Sequence, residues 1–102
     1  MKPLDDEKKR ILSQALWDLN LSPEEFYGII EGSVVRRWPE RGFCVARLLE
    51  SVNWFDIVKI FEPREICSLW GEAERHVRSR SIKEGMNFAC GVLREGSVPD
   101  PR

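Results

Sequence analysis

The sequence lacks the patterns of membrane, secreted and phosphate-binding proteins. No apolar run approaches the about 20 residues of a membrane-spanning helix. The first ten residues, MKPLDDEKKR, contain no apolar segment of the kind that a secretory or transit signal carries. No sustained stretch alternates apolar and polar residues, and no glycine-rich loop joins a strand to a helix. We therefore expect a cytoplasmic protein without membrane spans.

Residues that commonly carry catalysis or bind metals are also scarce. The chain has one histidine, His76, whereas a zinc site needs about three or four protein ligands. The three cysteines, Cys44, Cys67 and Cys90, form no CxxC pair, and their odd number favours reduced thiols over a disulfide framework. Adjacent carboxylates fall in first turns or on polar helix faces, where they complement the helix dipole. We expect no enzyme activity, no metal ion and no cofactor.

The composition that remains is that of an ordinary globular chain. Its 102 residues fit one domain, and 42% hydrophobic with 32% charged residues argues against disorder. The net charge of −1 provides no overall attraction to nucleic acid or acidic lipid. We predict a single helical domain over residues 1–95 and a disordered C-terminal tail over residues 96–102.

Residues that typically start or end helices recur along the whole chain. Ser22, Pro23 and Glu25 form a capping box with proline in the first turn. Ser81 and Glu84 predict a second box. Apolar residues at three- and four-residue steps predict helices over 5–19, 23–32, 43–51, 54–61, 63–79 and from 81 to about 93. The predicted fold class is therefore all-α, a single small domain of five or six short helices.

The stretch VNWFDIVKIF, residues 52–61, is apolar on most sides. Asn53 is a plausible cap, and the residues that follow it on one helical stripe are Trp54, Ile57, Val58 and Phe61. We expect this stripe, including Trp54, in the core, because a short helix that is apolar all round is normally buried. The alternative is a partner interface formed by Phe55 and Ile60, which lie off the stripe.

Two basic clusters are the candidate partner-binding residues. One is RHVRSRSIK, residues 75–83, with Arg75, Arg78 and Arg80. The other is VVRRWPERGF, residues 34–43, in which Trp38 lies beside Arg36, Arg37 and Arg41. Arginine binds carboxylate or phosphate through two parallel hydrogen bonds, and arginine with tryptophan is common in protein hot spots and nucleic-acid sites. The alternative is a solvated helix face, since bases near helix C-termini offset the dipole.

Read in order, several segments resemble one bacterial family. They are LWD at 16–18, ERG at 40–42, ARLLE at 46–50, and RSRSIKEGMNFACGVL at 78–93. The resemblance covers roughly residues 15–93 and is to small helical proteins often encoded beside an AbiEii-type nucleotidyltransferase toxin. It implies an antitoxin-like protein that binds and restrains a toxin without catalysis of its own.

The sequence thus predicts a non-catalytic protein-binding module, an antitoxin-like partner of a nucleotidyltransferase-type toxin. The alternative is a DNA-binding transcriptional regulator that reads its operator through the 64–80 helix. The slightly acidic chain favours the first function, since DNA-binding domains tend to be basic. The oligomeric state stays open.

Overall fold

The computed structural model describes residues 4–96 and shows an all-α fold, as predicted. The described residues contain six α-helices, one 3-10 turn and no strand. The helices are α1 (Asp6–Ser13), α2 (Pro23–Glu31), α3 (Arg41–Ser51), α4 (Trp54–Ile57), α5 (Pro63–Ala73) and α6 (Arg80–Gly96), with the 3-10 turn at Glu74–His76. No helix in this range is long and apolar enough to cross a membrane. Of the predicted tail, Gly96 ends α6, and residues 97–102 lie outside the described residues.

Side chains fix the starts of the helices largely where the sequence predicts. Ser22 accepts a hydrogen bond from the backbone of Glu25 at 3.1 Å, and Glu25 accepts one from the Ser22 backbone at 3.0 Å. This reciprocal pair is the predicted capping box of α2, which ends at Gly32 with a φ of 91°. Asn53 caps α4 through the backbone N–H of Asp56 at 3.0 Å. Local sequence therefore determines these boundaries.

One hydrophobic core joins the helices, with α3 and α5 packed most extensively against each other. The apolar stripes predicted for α2, α3 and α5 are buried, which confirms their inward orientation. Among the largest fully buried side chains are Ile11, Leu12, Phe26, Ile30, Leu48, Ile57, Phe61 and Ile66. Burying each such side chain contributes about 1.5–3 kcal/mol, so this core is the main stabilising element of the fold.

The three residues of the ERG segment dock the start of α3 onto the end of α5. Glu40, at the N-cap of α3, reaches the 3-10 turn. Arg41 donates two hydrogen bonds to the Glu72 carboxylate, from Nε at 3.1 Å and from Nη2 at 2.6 Å. Gly42 is buried against the backbone of Glu72. The segment thus has a structural role in setting the distance between two helices.

Three predicted helices are shorter in the structure, and the one predicted over 54–61 ends at Ile57. The first ends at Ser13 instead of Leu19, although the turns that follow still bury Ala15 and Leu16. The helix predicted over 63–79 ends at Ala73, and after the 3-10 turn Val77 is extended. These boundaries were wrong because turns can continue an apolar period, so that periodicity alone does not reveal where the α-helix stops.

The last helix starts at Arg80, one residue before the predicted start. Ser79 Oγ accepts from the backbone N–H of Ile82 at 3.3 Å. The cap is therefore Ser79, and the predicted box of Ser81 and Glu84 is wrong. The carboxylate of Glu50 also holds this corner, accepting from the backbone N–H groups of Arg78 at 2.7 Å and Ser79 at 3.3 Å. The tertiary contact with Glu50 therefore stabilises a helix start that Ser79 caps instead of Ser81.

The stretch 52–61 divides into a buried and an exposed part. Ile57 and Phe61 are in the core, as predicted, and Phe61 stacks on Tyr27 with ring centres 5.3 Å apart. Trp54 is only half-buried and packs at the edge of the core. The prediction that it lies inside the core was therefore wrong in part. Phe55 is 79% exposed. A single turn of helix is too short to bury both of its sides.

The cysteines differ from expectation. Cys67 of α5 and Cys90 of α6 form a disulfide with Cα atoms 5.4 Å apart, so the prediction of three reduced thiols is wrong. The remaining Cys44 is free and buried, and burial raises the pKa of its thiol to about 12. An odd count and the absence of CxxC give no information about which cysteines the fold brings together.

Candidate interaction surface

A row of aromatic rings and arginine runs along α3 and is exposed at its two ends, Trp38 and Trp17. Phe43 and Arg47 are four residues apart and therefore lie on the same side of the helix. Trp38, in the segment before α3, packs on Phe43 with ring centres 4.6 Å apart. The guanidinium carbon of Arg47 lies 5.4 Å from the ring centre of Phe43 and 5.6 Å from that of Trp17. These contacts form a continuous row from Trp38 to Trp17.

The 3-10 turn adds charge along one side of this row. Oε1 of Glu40 accepts a hydrogen bond from Nη2 of Arg75 at 3.2 Å, and Nε2 of His76 lies 2.7 Å from the same oxygen. The His76 ring also meets Phe43 edge-on at 6.0 Å. We call Trp17, Trp38, Phe43, Arg47, Arg75 and His76 the aromatic–arginine surface.

Hydrogen bonds lower the pKa of the two carboxyl groups beside the surface, Glu40 and Asp18. The bonds from His76 and then Arg75 lower the pKa of Glu40 below its ordinary 4.5. The bond from Arg47 lowers the pKa of Asp18 below its ordinary 3.8. Arg47 donates to both oxygens of Asp18, the bond from Nη2 measuring 3.2 Å. Asp18 thereby fixes the arginine that stacks between two rings.

The tryptophans of the surface are turned toward solvent. Trp17 is 78% exposed and Trp38 is 59% exposed, whereas the Arg47 side chain is only 18% exposed. Burying an aromatic ring contributes substantial free energy, and these two rings leave most of that contribution unused in the folded monomer. The arrangement therefore provides exposed apolar area around a fixed Arg47–Asp18 ion pair.

The predicted partner-binding residues are only partly brought together. Trp38 and Arg75 belong to the aromatic–arginine surface, linked through Phe43, His76 and Glu40. Arg78 follows the same turn, and its side chain is exposed. Arg36 instead pairs with Glu25 at the start of α2, and Arg80 lies 3.9 Å from Glu84 on α6. Arg37 is exposed beside Trp38.

Sequence reasoning missed four members of the surface: Trp17, Phe43, Arg47 and His76. Trp17 had a usable signal, because it falls outside the stripe of Leu12, Ala15 and Leu16. A large aromatic residue off a helical stripe is a candidate for exposure. No sequence signal marked Arg47, because its contact with Trp17 joins residues 30 positions apart.

The described residues contain no group of three or more His, Cys, Asp or Glu side chains arranged to hold a metal ion. Comparison of the chain with protein-family models, curated proteins and solved structures found no match. The relation to proteins encoded beside nucleotidyltransferase toxins therefore stays a prediction from sequence.

Proposed function

We propose that this protein is a non-catalytic binding module that holds another protein on its aromatic–arginine surface. The observation that carries the proposal is the pair of exposed tryptophans, Trp17 and Trp38, at the two ends of the row built on Phe43 and Arg47. Tryptophan and arginine are the residue types most enriched among binding hot spots. A partner that covers this row would bury two large rings around an ion pair, Arg47–Asp18, that is already fixed in place.

The partner should present an apolar centre with acidic residues beside it. Arg75 and Arg78 are exposed along one edge of the surface, and only Arg75 has a carboxylate partner within the described residues. Carboxylates on the partner would pair with these arginines, which favours correct orientation and rapid encounter more than affinity. An acidic rim with apolar residues inside it is the complementary pattern.

The proposed partner, on the resemblance in sequence, is a nucleotidyltransferase-type toxin that the protein restrains. This role places the protein in the cytoplasm. Disulfides are rare there, so the Cys67–Cys90 bond is the observation that weighs against this location. The identity of the partner and the location are separate from the use of the surface.

The alternative function, DNA binding through the 64–80 helix, has less support in the geometry. The helix ends at Ala73, so Arg75, Arg78 and Arg80 do not project from a single recognition helix. Arg75 is paired with Glu40, and Arg80 lies near Glu84. A helix that reads the major groove presents several side chains to the bases from one continuous face.

The test is calorimetric titration of the purified protein encoded beside this gene. We expect the double variant Trp17→Ser, Trp38→Ser to weaken binding by at least about 100-fold, because hot-spot truncations cost about 2–4 kcal/mol each. The matched control is Phe55→Ser, which removes an equally exposed ring elsewhere. Equal loss in the control, or no loss in the double variant, would contradict the use of this surface.

A second variant separates protein binding from DNA binding. Arg78→Glu leaves the fold intact, because Arg78 holds Glu50 through its backbone N–H and not through its side chain. Protein binding should weaken through repulsion with only modest dependence on salt. Strong binding to random duplex DNA, falling linearly on a logarithmic salt plot, would instead establish the alternative function.

A further inference from the structure

The Cys67–Cys90 disulfide lies in the wall of an open cleft between α5 and α6. The cleft has a volume of about 590 Å³, and its lining includes both cysteines, Arg64, Trp70, Glu74 and Asn87. Cys67 is half-buried, whereas Cys90 is 6% exposed. The rate of thiol–disulfide exchange depends on access to the sulfur that is attacked. A thiol that enters the cleft therefore reaches the Cys67 end of the bond more easily.

Arg64 adds a positive charge to the cleft on the same side of α5 as Cys67. Arg64, Cys67 and Gly71 follow the i, i+3, i+7 spacing that puts residues on one side of a helix, and all three line the cleft. Glu74, the acid that lines the cleft, lies in the 3-10 turn and accepts a hydrogen bond from Asn87 at 3.4 Å. A guanidinium near a cysteine favours the thiolate, which is the form that attacks and the form that leaves in exchange.

The disulfide is also the main attachment of the second half of α6. Over residues 80–93, the part of α6 whose side chains are described, Met86 and Cys90 are the buried ones. Asn87 accepts a hydrogen bond from the indole N–H of Trp70 at 2.8 Å. After Asn87, the described side chains other than Cys90 are half-buried or exposed. The packing of this half on α5 therefore depends strongly on one bond.

Cleaving the bond should allow this half of the helix to open. Gly85 and Gly91 lower the helix propensity of α6, and α5 is the helix that α6 packs against most. A helix segment with few buried contacts opens locally at little cost in free energy. The disulfide joins residues 23 positions apart and so restricts the opened chain. Without it the opened state gains conformational entropy, and opening becomes more favourable.

We propose that the Cys67–Cys90 bond is a redox switch, which a dithiol reductant opens by exchange at Cys67 and which then releases the second half of α6 from α5. Disulfides in cytosolic proteins are usually transient or redox-sensing, so a switch agrees with the cytoplasmic location proposed above. The proposal involves other residues than the aromatic–arginine surface and does not depend on what that surface binds.

The exchange takes two steps. A thiolate of the reductant attacks Sγ of Cys67, the bond to Cys90 breaks, and the Cys90 thiolate leaves and takes up a proton. The second thiolate of the reductant then attacks the reductant sulfur bonded to Cys67, and the Cys67 thiolate leaves and takes up a proton. Two electrons and two protons thus pass to the protein, and the reductant becomes a disulfide.

Reduction of the folded protein, followed by hydrogen exchange, tests the switch. The oxidised protein is treated with dithiothreitol without denaturant, and its thiols are counted by alkylation and mass spectrometry. We expect two new thiols, hydrogen exchange about 10-fold or more faster over residues 86–93, and unchanged exchange in α3. The double variant Cys67→Ser, Cys90→Ser should show the fast exchange from the start and should not respond to dithiothreitol.

Filling the cleft tests the route of the reductant. Gly71→Leu adds a side chain to the lining of the cleft, where a β-carbon meets nothing within 4 Å. It should slow reduction by dithiothreitol by about 5-fold or more, because exchange requires access to the sulfur. Gly85→Leu is the matched control, since Gly85 is a helical glycine with equally open space that does not line this cleft.

Four results would overturn the proposal. One is a bond that dithiothreitol reduces no faster than the protein unfolds, and another is equal slowing by the two leucine variants. Exchange over residues 86–93 that reduction leaves unchanged would show that the bond does not hold α6. Exchange that rises equally in α3 would show that the bond supports the whole fold and does not act on α6 alone.

Discussion

Gly42 lies directly against Glu72, so that α3 and α5 touch through their backbones at this point. A β-carbon at Gly42 would lie 2.9 Å from the carbonyl carbon of Glu72, closer than real side chains approach. Backbone cannot move aside as the end of a flexible side chain can. Arg41, one residue earlier, bonds the carboxylate of the same glutamate. The two helices are thus fixed at one position by a close contact and a paired charge.

Gly42→Ala should therefore lower the free energy of unfolding by about 1–3 kcal/mol, the usual effect of overpacking. Gly71→Ala is the control, because a β-carbon at Gly71 in α5 meets nothing within 4 Å. Its expected effect is a gain of up to about 1 kcal/mol from helix propensity. Urea denaturation of the two variants measures both values, and a Gly42→Ala protein as stable as the wild type would disprove the close contact.

Two phenylalanines six residues apart should respond very differently to truncation. Phe61 is 2% exposed and Phe55 is 79% exposed. Phe61→Ala should cost about 3–5 kcal/mol, since it removes a ring from the core and leaves a cavity. Phe55→Ala should change stability by less than about 0.5 kcal/mol, as surface substitutions do. Thermal and urea unfolding would compare them, and similar losses would contradict the division of this segment into a buried and an exposed part.

The core residues could be predicted from the sequence because the spacing of apolar residues and the capping of helices depend only on residues a few positions apart. The apolar residues of α2 that share one side, Phe26, Ile29 and Ile30, are buried as their spacing predicts. The same holds for Ile66, Leu69, Trp70 and Ala73 of α5, and Ser22 caps α2 as the neighbouring Pro23 and Glu25 predict. The end of α5 was not predictable, since no glycine or proline marks it. After Ala73 the chain meets Glu40, which contacts Arg75 and His76 from 35 and 36 residues away. Such an ending is a property of tertiary structure.

Counting thiols tests the pairing of the cysteines. In the native protein no thiol should react rapidly, because Cys44 is buried with a pKa raised to about 12, and Cys67 is bonded to Cys90. Unfolding without a reductant should release one thiol, and reduction should then release two more. Three reactive thiols in unreduced, unfolded protein would show that the disulfide does not form.

Acid should weaken the contact of Glu40, at the start of α3, with Arg75 and His76 of the 3-10 turn. His76 and Arg75 lower the pKa of Glu40 below 4.5, so Glu40 contributes stability above its unfolded pKa and loses this contribution as pH falls through its folded pKa. The stability difference between wild type and Glu40→Gln should therefore narrow as the pH falls below about 5 and through the lowered pKa of Glu40. Urea titrations at several pH values measure it, with Glu62→Gln as the control for charge. A difference that stays constant over this range would contradict the contact.

The candidate surface was harder to predict than the core. Trp38 and Arg75 were identified because each lies in a basic cluster, yet the clusters meet only through Glu40 and Phe43. Arg80, in the same cluster as Arg75, is directed into another contact on α6. Sequence identifies residue types suited to binding, whereas their convergence depends on the crossing of α3 with the 3-10 turn.

The position of Arg47 gives the proposed binding a kinetic consequence. Its guanidinium is held by Asp18 and stacked against Phe43 and Trp17 before any partner arrives. Little rotamer freedom then remains to be lost on association, and no slow rearrangement has to precede docking. The association rate constant should be about 10⁵–10⁷ M⁻¹s⁻¹, as for other preformed protein surfaces. Differences in affinity among variants should then arise mainly from the dissociation rate constant.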